Sequence, residues 1–323
     1  MDSAVMSMHM NEAAAEIADR LADQGEVLRV RTARLPGGAR VIDAGVEVDG
    51  GIEAGLALAR ICLGGLGQVA CTPVQIGSQS HAGLMVWTDH PAVACMASQY
   101  AGWSISVGKF FAMGSGPLRS HARVERELFE KLGYEEHAEE GVLVLESRTL
   151  PTDEVAAWVA GKAGIQPGTL TFVVAPTASL AGGVQISARI IETGLHKMET
   201  LGFDVRRVVS ATGTAPLPPV AKNDLRAIGR TNDCILYGGQ ARYTVRAGDK
   251  ELQELAERVP ASASRDYGTP FYEIFQRYGG DFYKIDPLLF SPAEVWLTST
   301  ETGRTFHAGR LNPEVLEASL YPL

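Results

Sequence analysis

The order of apolar runs between residues 142 and 210 most limits what this chain can fold into. Residues 142–146, 170–175 and 205–210 read as strands, while 153–162 and 179–200 carry apolar side chains at helical spacing. A β-α-β-α-β succession predicts an α/β fold.

The flanks add antiparallel pairs. Residues 27–35 and 39–48 lie either side of Pro36-Gly37-Gly38, and 234–237 precede 243–245, so a hairpin is expected at each place. Residues 84–88 and 104–112 also read as extended. Helices are expected over 11–23, with Asn11 as its cap, and over 52–63, 222–228 and 251–259. Two more open at prolines, Pro91 to about residue 101 and Pro117 through the charged stretch 123–131. The expected architecture is therefore α/β with mixed sheets.

At 323 residues the chain exceeds what one core usually fills, which predicts two compact units or one large unit with a cleft. No Pro/Ser-rich linker, acidic tail or repeat divides it. Any two lobes must be interleaved within one catalytic unit spanning 1–323, and the sequence marks no seam.

A net charge of -9 without a basic stripe disfavours nucleic acid and anionic membranes as partners. No apolar run approaches the roughly 20 residues of a membrane helix, and residues 1–11 lack a leader pattern, so a cytoplasmic location is expected. Cys62, Cys71, Cys95 and Cys234 lie in apolar surroundings without CxxC spacing, which predicts four buried thiols. The histidines show no zinc spacing, and no P-loop, GxSxG, HExxH or GxGxxG occurs, so no metal site is expected.

Three segments can carry chemistry. In the first, Val184, Ala188, Ile191, Leu195 and Met198 form the buried stripe of a helix, and Gln185, Arg189, Glu192 and His196 lie on another face. Arg189 and Glu192 are spaced to meet. They form either a surface ion pair of small energetic value or, in a cleft, an acid–base pair. The approach to this helix, with Thr177, Ser179 and Gly182-Gly183, follows a strand, where α/β proteins often bind ligands. The second segment, 229–233, reads as a turn in which Asn232 and Asp233 cap the chain or grip a planar heterocycle. The third is a plain turn at Gly114-Ser115-Gly116, or a cradle of N–H groups for an anion or carbonyl oxygen.

Taken together, several segments resemble the methenyltetrahydromethanopterin cyclohydrolase family over nearly the whole chain. They include GARVIDAG at 38–45, ICLGG at 61–65, GSGP at 114–117 and VAPTA at 174–178. QISARIIET at 185–193, GRTND at 229–233 and ILYGG at 235–239 continue the series. The resemblance implies two lobes enclosing a pterin pocket, a homotrimer, and no metal or redox cofactor. It implies reversible hydrolysis of an N5,N10-methenyl bridge to an N5-formyl group in one-carbon metabolism.

The family's functional Arg and Glu match Arg189 and Glu192, and Asp43, Ser115, Thr177, Ser179, Asn232 and Asp233 are the expected substrate-binding residues. Desolvation in a cleft should raise the pKa of Glu192 and Arg189 should lower it, the balance setting its strength as a base. Two other readings stay open: a catalytically silent pterin carrier, and a folate-dependent cyclohydrolase.

Overall fold

The computed structural model describes residues 8–281 and 284–321, so most of the opening stretch read for a leader lies outside the described residues. The described chain begins α1 (Met10–Asp23), α2 (Gly25–Leu28), β1 (Arg31–Arg34), β2 (Arg40–Asp43) and α3 (Ile52–Cys62). Then come β3 (Gly67–Ile76), β4 (Gln79–Thr88), a π-helical segment (Ala92–Gln99), β5 (Trp103–Val107) and β6 (Phe110–Ser115). Two short helices, α4 (Leu118–Ala122) and α5 (Arg126–Leu132), lead into β7 (Gly141–Glu146), α6 (Asp153–Ala163) and β8 (Leu170–Ala175). Next are α7 (Leu180–Ser187), α8 (Ile190–Thr200), β9 (Val208–Pro216), α9 (Asp224–Gly238) and β10 (Gln240–Val245). The chain closes with α10 (Asp249–Arg258), α11 (Phe271–Arg277), β11 (Glu294–Ser299), β12 (Thr305–Gly309) and α12 (Pro313–Leu320).

This is an α/β fold with two mixed six-stranded sheets. The chain divides into two compact units, each made of separated segments. The first comprises residues 1–67 and 93–185, the second 68–92 and 186–323.

In the first unit the strand order is β1-β2-β8-β7-β6-β5. The β1–β2 hairpin forms as expected, and β2, β8 and β7 run parallel. Strands β7 and β8 are mostly apolar because both their faces are covered. Ile42, Val142, Val144 and Val173 pack with Ala14, Leu21, Leu58 and Ile61 of α1 and α3. Alternate residues Val41, Leu143, Leu145, Phe172 and Val174 pack with Val155 and Val159 of α6. That period of two is the pleat expressed as packing.

The second unit orders its strands β12-β11-β10-β9-β4-β3. Strand β9 holds residues 208–210, so the expected third strand of the βαβαβ run belongs to this other sheet. One sheet face buries Ala211, Ala241, Tyr243, Val295 and Leu297. On the other, Trp296 stacks on His307 and carries the Arg242 guanidinium 3.9 Å over its ring.

Several local expectations need correction. Asn11 caps nothing: it is buried, its backbone and side-chain N–H groups each donate to Glu136 at 2.7 Å, and its oxygen accepts from Val142 N–H. A tertiary bond has replaced the local one. The run 27–35 opens as helix and is extended only from Arg31, after Arg29 turns through the left-handed region (φ 54). Strand β2 ends early because the Asp43 carboxylate collects the N–H groups of Gly45, Val46 and Glu47 at 2.7–2.9 Å, curling the chain. Residues 104–112 contain two strands, folded back at Gly108 (φ 58). The helix opening at Pro91 is π-helical, and the charged helix after Pro117 is broken at Arg123 (φ 48).

The largest correction is α9. Residues 229–233, read as a turn, and 234–237, read as a strand, are both helical, so the expected hairpin with 243–245 does not form. Strand β10 instead pairs antiparallel with β9 and parallel with β11. Gly229 serves close packing: a Cβ there would sit 2.9 Å from that of Tyr272. Among the cysteines, Cys62, Cys95 and Cys234 are buried as expected, whereas Cys71 is exposed.

Candidate functional site

The helix expected over 179–200 is two helices joined by a turn at Ala188 and Arg189. No glycine or proline marks this break. The Arg189 N–H bonds Ile186 O, three residues back, and its φ of −80° and ψ of 8° lie in the bridge region. Arg189 is thus the N-cap residue of α8, and Glu192 stands in the first turn. A carboxylate there faces the positive end of the helix dipole.

The spacing places both residues close along the chain, although on a cap and a first turn rather than within one helix. Their burial excludes a solvent-exposed pair: Arg189 is 8% exposed and Glu192 5%. The stripe Val184, Ala188, Ile191, Leu195 and Met198 is buried as expected, and His196 is half-buried.

Packing fixes this helix start on the second unit's sheet. Gly213 of β9 lies under Ile190 and Ile191, where a Cβ would meet the Ile190 side chain at 2.7 Å. Gly194 leaves room for the Tyr243 hydroxyl, which donates to Ile191 O at 2.9 Å. Further along α8, fully buried Lys197 donates to Pro260 O at 2.7 Å. Desolvation lowers its pKa to about 8.

In the first unit, three expected binding residues gather at the carboxyl ends of parallel strands, the edge where α/β sheets hold ligands. Asp43 ends β2, and its register partner is Val174 of β8. The Thr177 hydroxyl donates to Glu146, the last residue of β7. Ser179 donates to Pro176 O at 2.7 Å and accepts from Gly182 N–H at 3.0 Å. Gly45 brings the loop after Asp43 against it, since a Cβ there would lie 2.9 Å from the Ser179 side chain. Ser115 is not part of this edge: it pairs with Val144, inward along β7, and its hydroxyl donates to Gln99 O.

At Gly182 the close neighbour is the chain itself. A Cβ at Gly182 would lie 1.9 Å from Pro176 O. Gly182→Ala is therefore expected to destabilise the first unit by about 1–3 kcal/mol through overpacking, read as a fall in the urea midpoint.

Asn232 and Asp233 lie on α9, not on a turn. The Asn232 amide donates to Ile228 O at 2.8 Å. Asp233 is fully buried, accepting the Phe271 N–H at 2.8 Å on one oxygen and the Ser319 hydroxyl on the other. Desolvation, the main cause, raises its pKa to about 7. From about pH 4 to about pH 7 the unfolded chain gives up this proton while the folded chain keeps it, so stability falls as pH rises through that window. The slope contributed is at most about 1.4 kcal/mol per pH unit. Asp233→Asn keeps an acceptor for Phe271 and is expected to flatten the decline, measured by urea denaturation across that range.

Sequence reading missed a cavity of about 560 Å³ in the second unit, lined by Lys222, Arg226, Arg230, Tyr272, Glu273 and Ser319 among others. Arg226 and Arg230 are four apart on α9, a signal hidden while 229–233 was taken as a turn. Among the described residues no cluster of three or more metal-ligating side chains occurs, and no helix is long and apolar enough to cross a membrane.

Mixed α/β sheets and a buried arginine and glutamate at one helix start define the fold and the candidate site. A family model described as Cyclohydrolase (MCH) matches residues 9–320. A methenyltetrahydromethanopterin cyclohydrolase of Methylobacterium sp. (strain 4-46) is 46% identical, covering 99% of each chain. The protein of the same name from Methylobacillus flagellatus is 46% identical over 96% of this chain and 94% of its own. That from Methanococcoides burtonii is 42% identical over 95% of this chain and 96% of its own. The chain belongs to this cyclohydrolase family.

Proposed function

We propose that this protein hydrolyses the N5,N10-methenyl bridge of methenyl-tetrahydromethanopterin to the N5-formyl derivative, reversibly, as a step of one-carbon metabolism. The observation that carries this reading is the burial of Arg189 and Glu192 together at the start of α8, in a chain related over nearly its whole length to proteins named for that substrate.

The bridge carbon lies between two nitrogens that share a positive charge, so it is open to attack by water. Glu192 takes one proton from the attacking water as its oxygen bonds to that carbon. The bond from carbon to N10 then breaks, and N10 receives the proton that Glu192 returns. The second proton of the water goes to solvent, leaving a neutral formyl group on N5. Methenyl cation and water thus become formyl product and one proton. Arg189 holds the carboxylate in one orientation and limits how far burial raises its proton affinity. The reaction transfers no electrons to or from the substrate and needs no redox cofactor. It is assigned to the protein's own side chains, without a metal.

The substrate is assigned to a pterin pocket. Asp43, Thr177 and Ser179 hold its strand-end loops in place, as their bonds to neighbouring backbone and side chains support. Asn232 joins the proposed substrate-binding set directly, and Ser115 and Asp233, whose side chains are spent on Gln99, Phe271 and Ser319, support it from within the fold. Assembly as a homotrimer and a cytoplasmic location belong to the same proposal.

The test is to supply purified protein with methenyl-tetrahydromethanopterin and, separately, methenyl-tetrahydrofolate, and to follow loss of the methenyl chromophore. Rapid loss with the first alone is expected. Equal rates with both would move the assignment to a folate-accepting enzyme, and tight binding without turnover would make the protein a carrier.

A further inference from the structure

The cavity at Arg226 and Arg230 stands apart in charge from the rest of the molecule. The chain carries a net charge of -9, yet among the charged groups lining this cavity Lys222, Arg226 and Arg230 outnumber the single carboxylate of Glu273. Among the described residues, no carboxylate forms an ion pair with any of the three.

Two of these cations are held in place by the fold. The Arg226 guanidinium lies 3.8 Å over the Tyr272 ring, and stacking of this kind leaves its N–H donors free to point outward in plane. Arg230 is half-buried, and its Nη1 donates to Pro219 O at 3.2 Å, which fixes the group while leaving other donors. Asp233, behind the wall, spends its oxygens on Phe271 and Ser319. Preset guanidinium groups favour planar or tetrahedral oxyanions, which they contact through paired charge-assisted hydrogen bonds.

We propose that this cavity is an oxyanion-binding site whose ligand is a phosphate group, either free phosphate or a small organic phosphate monoester. A space of about 560 Å³ holds more than a bare phosphate, and Tyr272, Pro270 and Ala318 supply an apolar wall for an organic part. The site is separate from the residues assigned to hydrolysis.

The test is calorimetric titration of the full chain with inorganic phosphate and, in a second arm, with glycerol phosphate, against chloride at matched ionic strength. Saturable one-site binding is expected in at least one arm. Arg226→Gln and Lys222→Gln, both at exposed positions, should each weaken it about tenfold or more, the usual worth of one charge-assisted contact, with thermal unfolding unchanged. Binding by the ester alone would assign the site to an organic phosphate, and equal binding in both arms to phosphate itself. No saturable binding in either arm, or unaltered binding by both variants, would overturn the proposal.

Discussion

Glu192→Gln is expected to lower kcat by ~10²–10⁴, the usual worth of a positioned general base, while substrate binding is largely retained. The amide has nearly the shape of the carboxylate and keeps one acceptor, so a group 5% exposed in the first turn of α8 is replaced without opening a cavity. What it loses is the capacity to take a proton from water. Single-turnover measurement of methenyl loss reads the chemical step, and substrate binding by the same variant reads affinity. A variant turning over near the normal rate would remove Glu192 from the chemistry. A matched loss of binding would make it a binding group.

The second large effect is expected in stability. Arg119 is fully buried and meets Glu125 through two parallel contacts, Nε to Oε1 at 3.1 Å and Nη2 to Oε2 at 2.9 Å. Its Nη1 faces the carbonyls of Ala97 and Ser98 at 3.3 and 3.1 Å, at the end of the π-helical segment, where backbone acceptors lack partners within the helix. Glu125→Ala leaves that guanidinium buried without its counter-charge. The expected cost is about 3 kcal/mol, toward the lower end for broken buried pairs because the Glu125 side chain is 22% exposed. Glu125→Gln, which keeps an acceptor, should cost less. Urea denaturation of both variants checks the order, and an alanine variant as stable as the parent would show that the carbonyls alone hold the charge.

What could be read from the sequence was whatever local pattern and tertiary packing agreed on. Strands β7 and β8 and helix α6 lie where their apolar runs put them, and the pairing of β7 with β8 is parallel. Their sheet neighbours could not be read in the same way. Residues 208–210 look like the next strand of the same series, but their partners, β10 and β4, come from distant segments.

Helix α9 failed because Gly229, Asn232 and Asp233 are turn formers by local chemistry, and each is used for something non-local or intrahelical. Gly229 admits Tyr272, Asp233 accepts from Phe271, and Asn232 bonds back to Ile228. The spacing of Arg189 and Glu192 was legible. The break that makes one a cap and the other a first-turn residue was not, because no breaker residue announces it. The cationic cavity was hidden by the same misreading of α9.

The interleaving of segments bears on how the chain is made. All segments of the first unit have left the ribosome soon after residue 185, whereas β4 must wait for β9, with Gly83 opposite Pro216 and Thr88 opposite Ala211. The β3 and β4 segment therefore emerges early as an exposed ribbon, bearing Met85 and Trp87, while its sheet partner is still unsynthesised. Long-range closure of this kind slows folding and leaves a strand edge open to wrong partners. Nascent chains in which β4 has emerged and β9 has not should accordingly lean most heavily on chaperones.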